Sequence, residues 1–244
     1  MKTSLLALLA ATGSAFPAEP PLAEARRAEI LASYAKRAEL ATVGLAEKPD
    51  AVRLLSQRGD ALLFLGDAKG AVADFERTIA LDPAEDAPHW RLGIAYYFAG
   101  DFAKSARQFE KYHAHDGRDR ENGIWKFIAD VKVVGMEKAR AQMLGYTRFD
   151  REPFPALYEM FAGRKTTDEV FAEIAEKKLG ESGAVMFFAN YYGGLNEALL
   201  GRPDRARELL AKAVASPWAQ SSEGGPAYMW QAARLHWESV RGEK

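Results

Sequence analysis

Apolar residues recur along most of this chain at three- and four-residue spacing, and short runs of glycine, aspartate and proline interrupt them at regular intervals. The spacing predicts amphipathic helices, and the interruptions predict where each one stops. Val52 to Leu65 carries Leu55, Leu62 and Leu65 with small residues between them. Gly66-Asp67 breaks that run, because glycine tolerates the left-handed conformation of a helix end and Asp67 is placed to cap a second helix. That second helix shows Ala71, Val72, Phe75 and Ile79 on one face, with small Ala71 where the two helices cross and large Phe75 beside it. Asp82-Pro83 ends it, since proline disfavours helical geometry in the residue before it.

The same landmarks return 34 residues later: Gly59, Gly66, Asp67, Ala71, Phe75 and Asp82 are matched by Gly93, Gly100, Asp101, Ser105, Phe109 and Asp116. A fixed period of this length marks a stack of helix pairs, here 52–85 and 86–119. The rhythm then loosens. Trp125 to Val134 is apolar-rich, and Ala139 and Met143 follow Ser105 and Phe109 by 34 residues, which predicts a degenerate third pair at 120–146. Residues 153–178 read as a divergent hairpin around Gly163 to Asp168, with a capping signal at Thr167. A well-formed pair returns at 187–220, where Gly201 to Ala206 repeats the spacing of Gly66 to Ala71.

Both ends close the array. Residues 22–48 read as an N-terminal cap, one long helix or a kinked pair, with Glu24, Arg27 and Glu29 exposed and Ile30, Leu31 and Leu40 buried. Residues 226–240 read as a C-terminal capping helix that buries Met229, Ala233 and Trp237 over the last open core face. The expected fold is all-α: a superhelical solenoid of helix hairpins over 22–244, with a capping helix at each end.

The joint series Gly59, Leu62, Gly66, Ala71, Phe75, Pro83 and Leu92, Gly93, Tyr96, Gly100, Phe109 resembles the tetratricopeptide repeat (TPR) family. Ser105 stands where that family has alanine, and Gly117 where it has proline. The order of units over most of 50–240 resembles the NlpI-type tetratricopeptide proteins of the bacterial cell envelope. The resemblance implies a non-enzymatic adaptor or scaffold for a protein or peptide partner, with an envelope protease or a peptidoglycan enzyme as the kind of partner.

In the family, the first helix of each pair lines a concave groove. Carried onto this chain, that groove comprises Arg53, Ser56, Asp60, Leu63 and Phe64, then Ala87, Trp90, Ile94, Tyr97 and Phe98, and later Phe188, Tyr191, Leu195, Ala198 and Leu199. Phe64, Trp90, Tyr97 and Phe98 would form an aromatic wall, with Arg53 and Asp60 as polar anchors. Aromatic residues supply binding energy at low entropic cost. Ser56, Asp60 and Ile94 do not reproduce the family's Lys/Asn/Arg clamp for a C-terminal carboxylate. A second reading fills the groove with another copy of the chain, as a homodimer.

Charge and composition narrow the alternatives. Lys plus Arg number 33 against 34 Asp plus Glu, a net charge of −1 with no basic excess for nucleic acid. No apolar run reaches the roughly 18 residues of a membrane span. Cysteine is absent, which excludes disulfides, thiolate metal sites and cysteine nucleophiles. Met1-Lys2, the apolar Leu5 to Ala11 and small Gly13-Ser14-Ala15 read as a signal peptide over 1–15, followed by a flexible leader at 16–21. The product would be soluble in the periplasm or outside the cell, without the cysteine that lipidation needs.

Candidate chemistry is sparse. His113 and His115 are two apart on a helix and point to different sides, and Glu173, Glu176 and Glu181 lie among Lys177 and Lys178 on a charged face. Phosphate-loop, dinucleotide, nucleophile-elbow and zinc-protease motifs are missing. The expectation is therefore no catalytic residue, no cofactor and no metal.

Overall fold

The computed structural model describes residues 21–241. The signal-peptide reading and residues 16–20 of the leader lie outside the described residues. Among those described, the chain is all-helical, without strands. In order, the helices are α1 (Glu24–Glu47), α2 (Val52–Phe64), α3 (Ala68–Leu81), α4 (Trp90–Phe98), α5 (Phe102–His115), α6 (Arg120–Val134) and α7 (Met136–Ala141). They continue with α8 (Phe154–Phe161), α9 (Thr167–Glu176), α10 (Gly183–Leu199), α11 (Pro203–Val214), α12 (Pro217–Gln220) and α13 (Gly224–Arg241).

From α1 to α7, each helix packs on the next, as do the helices from α8 to α13 in sequence, and α6 bridges the two runs by touching α8. Three tight connections, 65–67, 99–101 and 200–202, leave room only for antiparallel neighbours. The first two are built alike. Gly66 and Gly100 take φ of +94° and +82°, conformations that L side chains rarely adopt. Asp67 and Asp101 then cap the following helices by accepting from the backbone N–H groups of Gly70 and Lys104.

The 34-residue echo is also a packing echo. A Cβ on Gly59 would lie 2.5 Å from the Phe75 ring, and one on Gly93 would lie 2.7 Å from the Phe109 ring. Phe75 and Phe109 are fully buried in the resulting contacts. Burying a phenylalanine in this way contributes about 1.5–3 kcal/mol, so the absent side chain at each glycine secures one anchor of its hairpin.

Several local readings shift. The N-terminal cap is a single helix, and it buries Ile30, Ala41 and Leu45, while Leu40 is 59% exposed. Positions 30, 41 and 45 share one stripe at 3.6-residue periodicity, and Leu40 falls off it. Arg27, read as exposed, forms an ion pair with Glu238 at 2.8 Å. The cap of α9 is Thr166 rather than Thr167: its side chain accepts from the Glu169 N–H while the Glu169 carboxylate accepts from the Thr166 N–H. Thr167 instead buries its hydroxyl against Glu197 at 2.5 Å. In the degenerate third unit, Gly135 ends α6 and leaves α7 only six residues long, so Met143 lies beyond the helix that Ala139 anchors.

Helix α13 buries Met229, Ala233 and Trp237 as expected, yet its reach is wider than that of an end cap. It packs on α11 and α12, but it also reaches α2. Tyr228 through Arg234 are all buried, and so are His236, Trp237 and Glu238. A helix buried nearly all round lies inside the molecule rather than over its end.

Candidate functional site

The residues expected to line the groove are where α13 docks. Phe64 on α2 meets Tyr228 with ring centroids 4.6 Å apart, and Trp90 on α4 meets the same tyrosine at 4.8 Å. Tyr97 and Phe98 surround His236 at 5.5 and 4.8 Å, and Trp125 on α6 and Tyr191 on α10 complete its ring of neighbours, each at 5.8 Å. The Tyr191 hydroxyl lies 3.0 Å from His236 Nδ1. Burial pushes the imidazole down to about 4, so His236 stays neutral in this aromatic setting. The structure thus brings Phe64, Trp90, Tyr97, Phe98 and Tyr191 together, against a helix of the same chain. Ile94 is fully buried on α4, and Leu63, Phe188 and Leu195 are buried too.

The polar groove positions are held elsewhere. Arg91 Nη1 donates to Asp60 at 2.8 Å and its Nη2 donates to Ser56 at 3.0 Å. Desolvation raises the Asp60 carboxyl to about 6 despite that arginine. Arg53 is exposed on α2, and Ala198 is exposed on α10. His89 is the N-cap of α4, its Nδ1 accepting from the Leu92 N–H at 3.1 Å, and its ring packs on Phe75. Glu173 pairs with Lys165 and Lys177, each at 2.7 Å. The His113 ring packs against Tyr146.

One part of this surface is not filled by α13. A cavity of about 380 Å³ opens beside the first turn of α13, at Gly225 and Pro226. Its apolar walls come from Trp90 and Ile94 of α4, Trp125 of α6, Phe188 of α10, Trp218 of α12 and Met229 of α13. Its polar edge is the start of α6, with Asp119 and Glu121, together with Arg151 from the 142–153 connection.

Sequence reasoning missed that edge. Asp119 caps α6 by accepting from the Glu121 N–H, a local role visible in the Asp-x-Glu order. Glu121 is placed by distant partners: Tyr192 donates to Oε1 and Arg151 to Oε2, both at 2.5 Å. Trp125 Nε1 in turn donates to the Tyr192 hydroxyl at 3.1 Å. Arg151 stacks over Phe154 at 4.2 Å and also touches Asp119 and Asp150. Burial raises the Glu121 carboxyl to about 7 even with Arg151 beside it, and it raises Asp119 as well.

No family model matches the sequence, and no curated protein matches it. No helix among the described residues is long and apolar enough to cross a membrane. The class that structure and composition define is an all-helical protein without cysteine.

Proposed function

We propose that this chain is a non-enzymatic helical-repeat adaptor of the tetratricopeptide type, exported to the bacterial envelope, which docks an extended segment of a partner protein. The 34-residue echo and its paired Gly59–Phe75 and Gly93–Phe109 contacts support the repeat reading. In this reading α2, α4, α6 and α10 present the inner surface of a solenoid, and α13 occupies much of it. The docking site is what remains open.

The observation that carries the proposal is the cavity of about 380 Å³ beside the start of α13, walled by Trp90, Trp125, Phe188 and Trp218 and edged by charged groups. A concave, mostly apolar site with a few convergent polar groups is the usual form of a binding pocket. Binding proceeds by burial of apolar surface and ion pairing, with no chemical step.

The test is selection of peptides from a random display library on the full chain, after which the enriched peptides are titrated against the parent and against Trp90→Ala. Enriched peptides should lose about 1–3 kcal/mol of binding to the variant. Peptides that bind both proteins equally would remove the cavity from the account. The homodimer reading gains no specific support, because α13 already covers much of the surface it would use.

A further inference from the structure

Charge is unbalanced at the polar edge of the cavity. Three carboxylates, Asp119, Glu121 and Asp150, gather around one guanidinium, Arg151. The nearby cations are engaged elsewhere. Arg120 donates to the Arg148 carbonyl at 2.8 Å and lies over the Tyr146 ring, and Arg118 faces Asp116 at 3.5 Å. The N-terminus of α6 and its N–H groups offset part of this excess, since Asp119 and Asp150 accept from the Glu121 and Arg120 amides.

Facing the carboxylates are aromatic surfaces, Trp90, Trp125, Trp218 and Phe188. Indole faces attract cations and pack well against alkyl chains. An anion would meet the excess negative charge, and a purely apolar group would leave that charge unanswered. Desolvation raises both Glu121 and Asp119, and a neighbouring carboxylate raises each further, Asp119 beside Glu121 and Asp150 beside Asp119.

We infer that the cavity receives the side chain of a lysine in the docked segment, its alkyl stem between Trp90 and Trp218 and its ammonium at the Asp119–Glu121 edge. The inference deepens the adaptor reading and rests on it for the source of the lysine.

The experiment titrates the full chain at pH 8, where Glu121 is ionised, with acetyl-Ala-Lys-Ala-amide and with the same tripeptide carrying norleucine for lysine. Tryptophan emission reports occupancy, because three of the lining residues are indoles. The lysine peptide should bind about tenfold more tightly than its neutral analogue, the scale of one desolvated cation–π and ion-pair contact. Glu121→Gln retains the side-chain shape and should bring that ratio to near one, with circular dichroism checking the fold. Asp119→Asn should reduce the ratio through the neighbouring carboxylate.

Equal binding of the two tripeptides, binding of neither, or an unchanged ratio in both variants overturns the inference. If library-selected peptides still depend on Trp90 in that case, the adaptor reading stands without the lysine. If they do not, it falls separately.

Discussion

Arg234 on α13 donates from Nη2 to the backbone carbonyl of Phe64, the last residue of α2, at 2.6 Å across 170 residues of chain. The arginine is 1% exposed. Its Nη1 also pairs with Glu238 at 2.8 Å, its Nε donates to Gln231, and Glu238 accepts from Arg27 of α1. One buried cation thus ties the last helix to the first two. Removing Arg234 would leave Glu238 with Arg27 alone and take this donor from the buried Phe64 carbonyl. Arg234→Met should therefore destabilise the fold by about 3 kcal/mol in urea unfolding. A loss within the roughly 0.5 kcal/mol of ordinary surface substitutions would mean that α13 is held by apolar burial alone.

Gly59→Ala should cost about 1–3 kcal/mol, because the new methyl would enter the space of the Phe75 ring. Phe75→Leu in the same chain should recover part of that loss, since the smaller side chain yields the space. The coupling would appear as non-additivity in a double-mutant cycle. Strict additivity of the two substitutions would contradict the contact.

Glu121 makes stability depend on pH in an identifiable window. Its folded carboxyl titrates at about 7 against an ordinary 4.5, so the folded chain holds a proton that the unfolded chain releases. Its contribution is fully present below 4.5 and is lost as pH rises through 7. Glu121→Gln should remove this share of the fall between those values, leaving the fall due to Asp60, raised to about 6, and the opposing rise due to His236, lowered to about 4. A variant profile parallel to that of the parent would show that Glu121 does not titrate there.

Ending the chain after Glu223 removes α13 and should uncover Phe64, Trp90, Tyr97 and Trp125. The shortened protein should bind a hydrophobic dye strongly. A synthetic peptide covering 224–241 should restore low dye binding when added in trans, because α13 makes all of its contacts from one continuous segment. Unchanged dye binding after truncation would place those rings in contacts that α13 does not supply.

Much of the architecture was legible because its causes are local. The glycine turns at Gly66 and Gly100, the aspartate caps after them and the Gly59–Phe75 spacing each lie within a few turns of one helix pair, so spacing alone exposes them. The groove positions Phe64, Trp90, Tyr97, Phe98 and Tyr191 came from the tetratricopeptide resemblance rather than from spacing alone, and in the fold they meet around α13. Errors of one position, such as Thr167 for Thr166, arose where two adjacent threonines offer the same cap chemistry. Leu40 was misplaced because a single apolar residue on a long Ala-rich helix does not define its stripe.

By itself, the sequence determined the helices of the two clearest pairs, where they stop and which small residues in them admit which large ones. Those features depend on residues up to about 16 positions apart and repeat with a period. Only the tertiary structure decided that α13 lies among α2, α4, α6 and α10, and that Tyr192 and Arg151 converge on Glu121. Contacts such as Arg234 with Phe64 join single residues from distant segments, so they occur once and leave no periodic trace in the chain. Their energies come from burial and from pairing of charges away from water, quantities that exist only after the helices have packed.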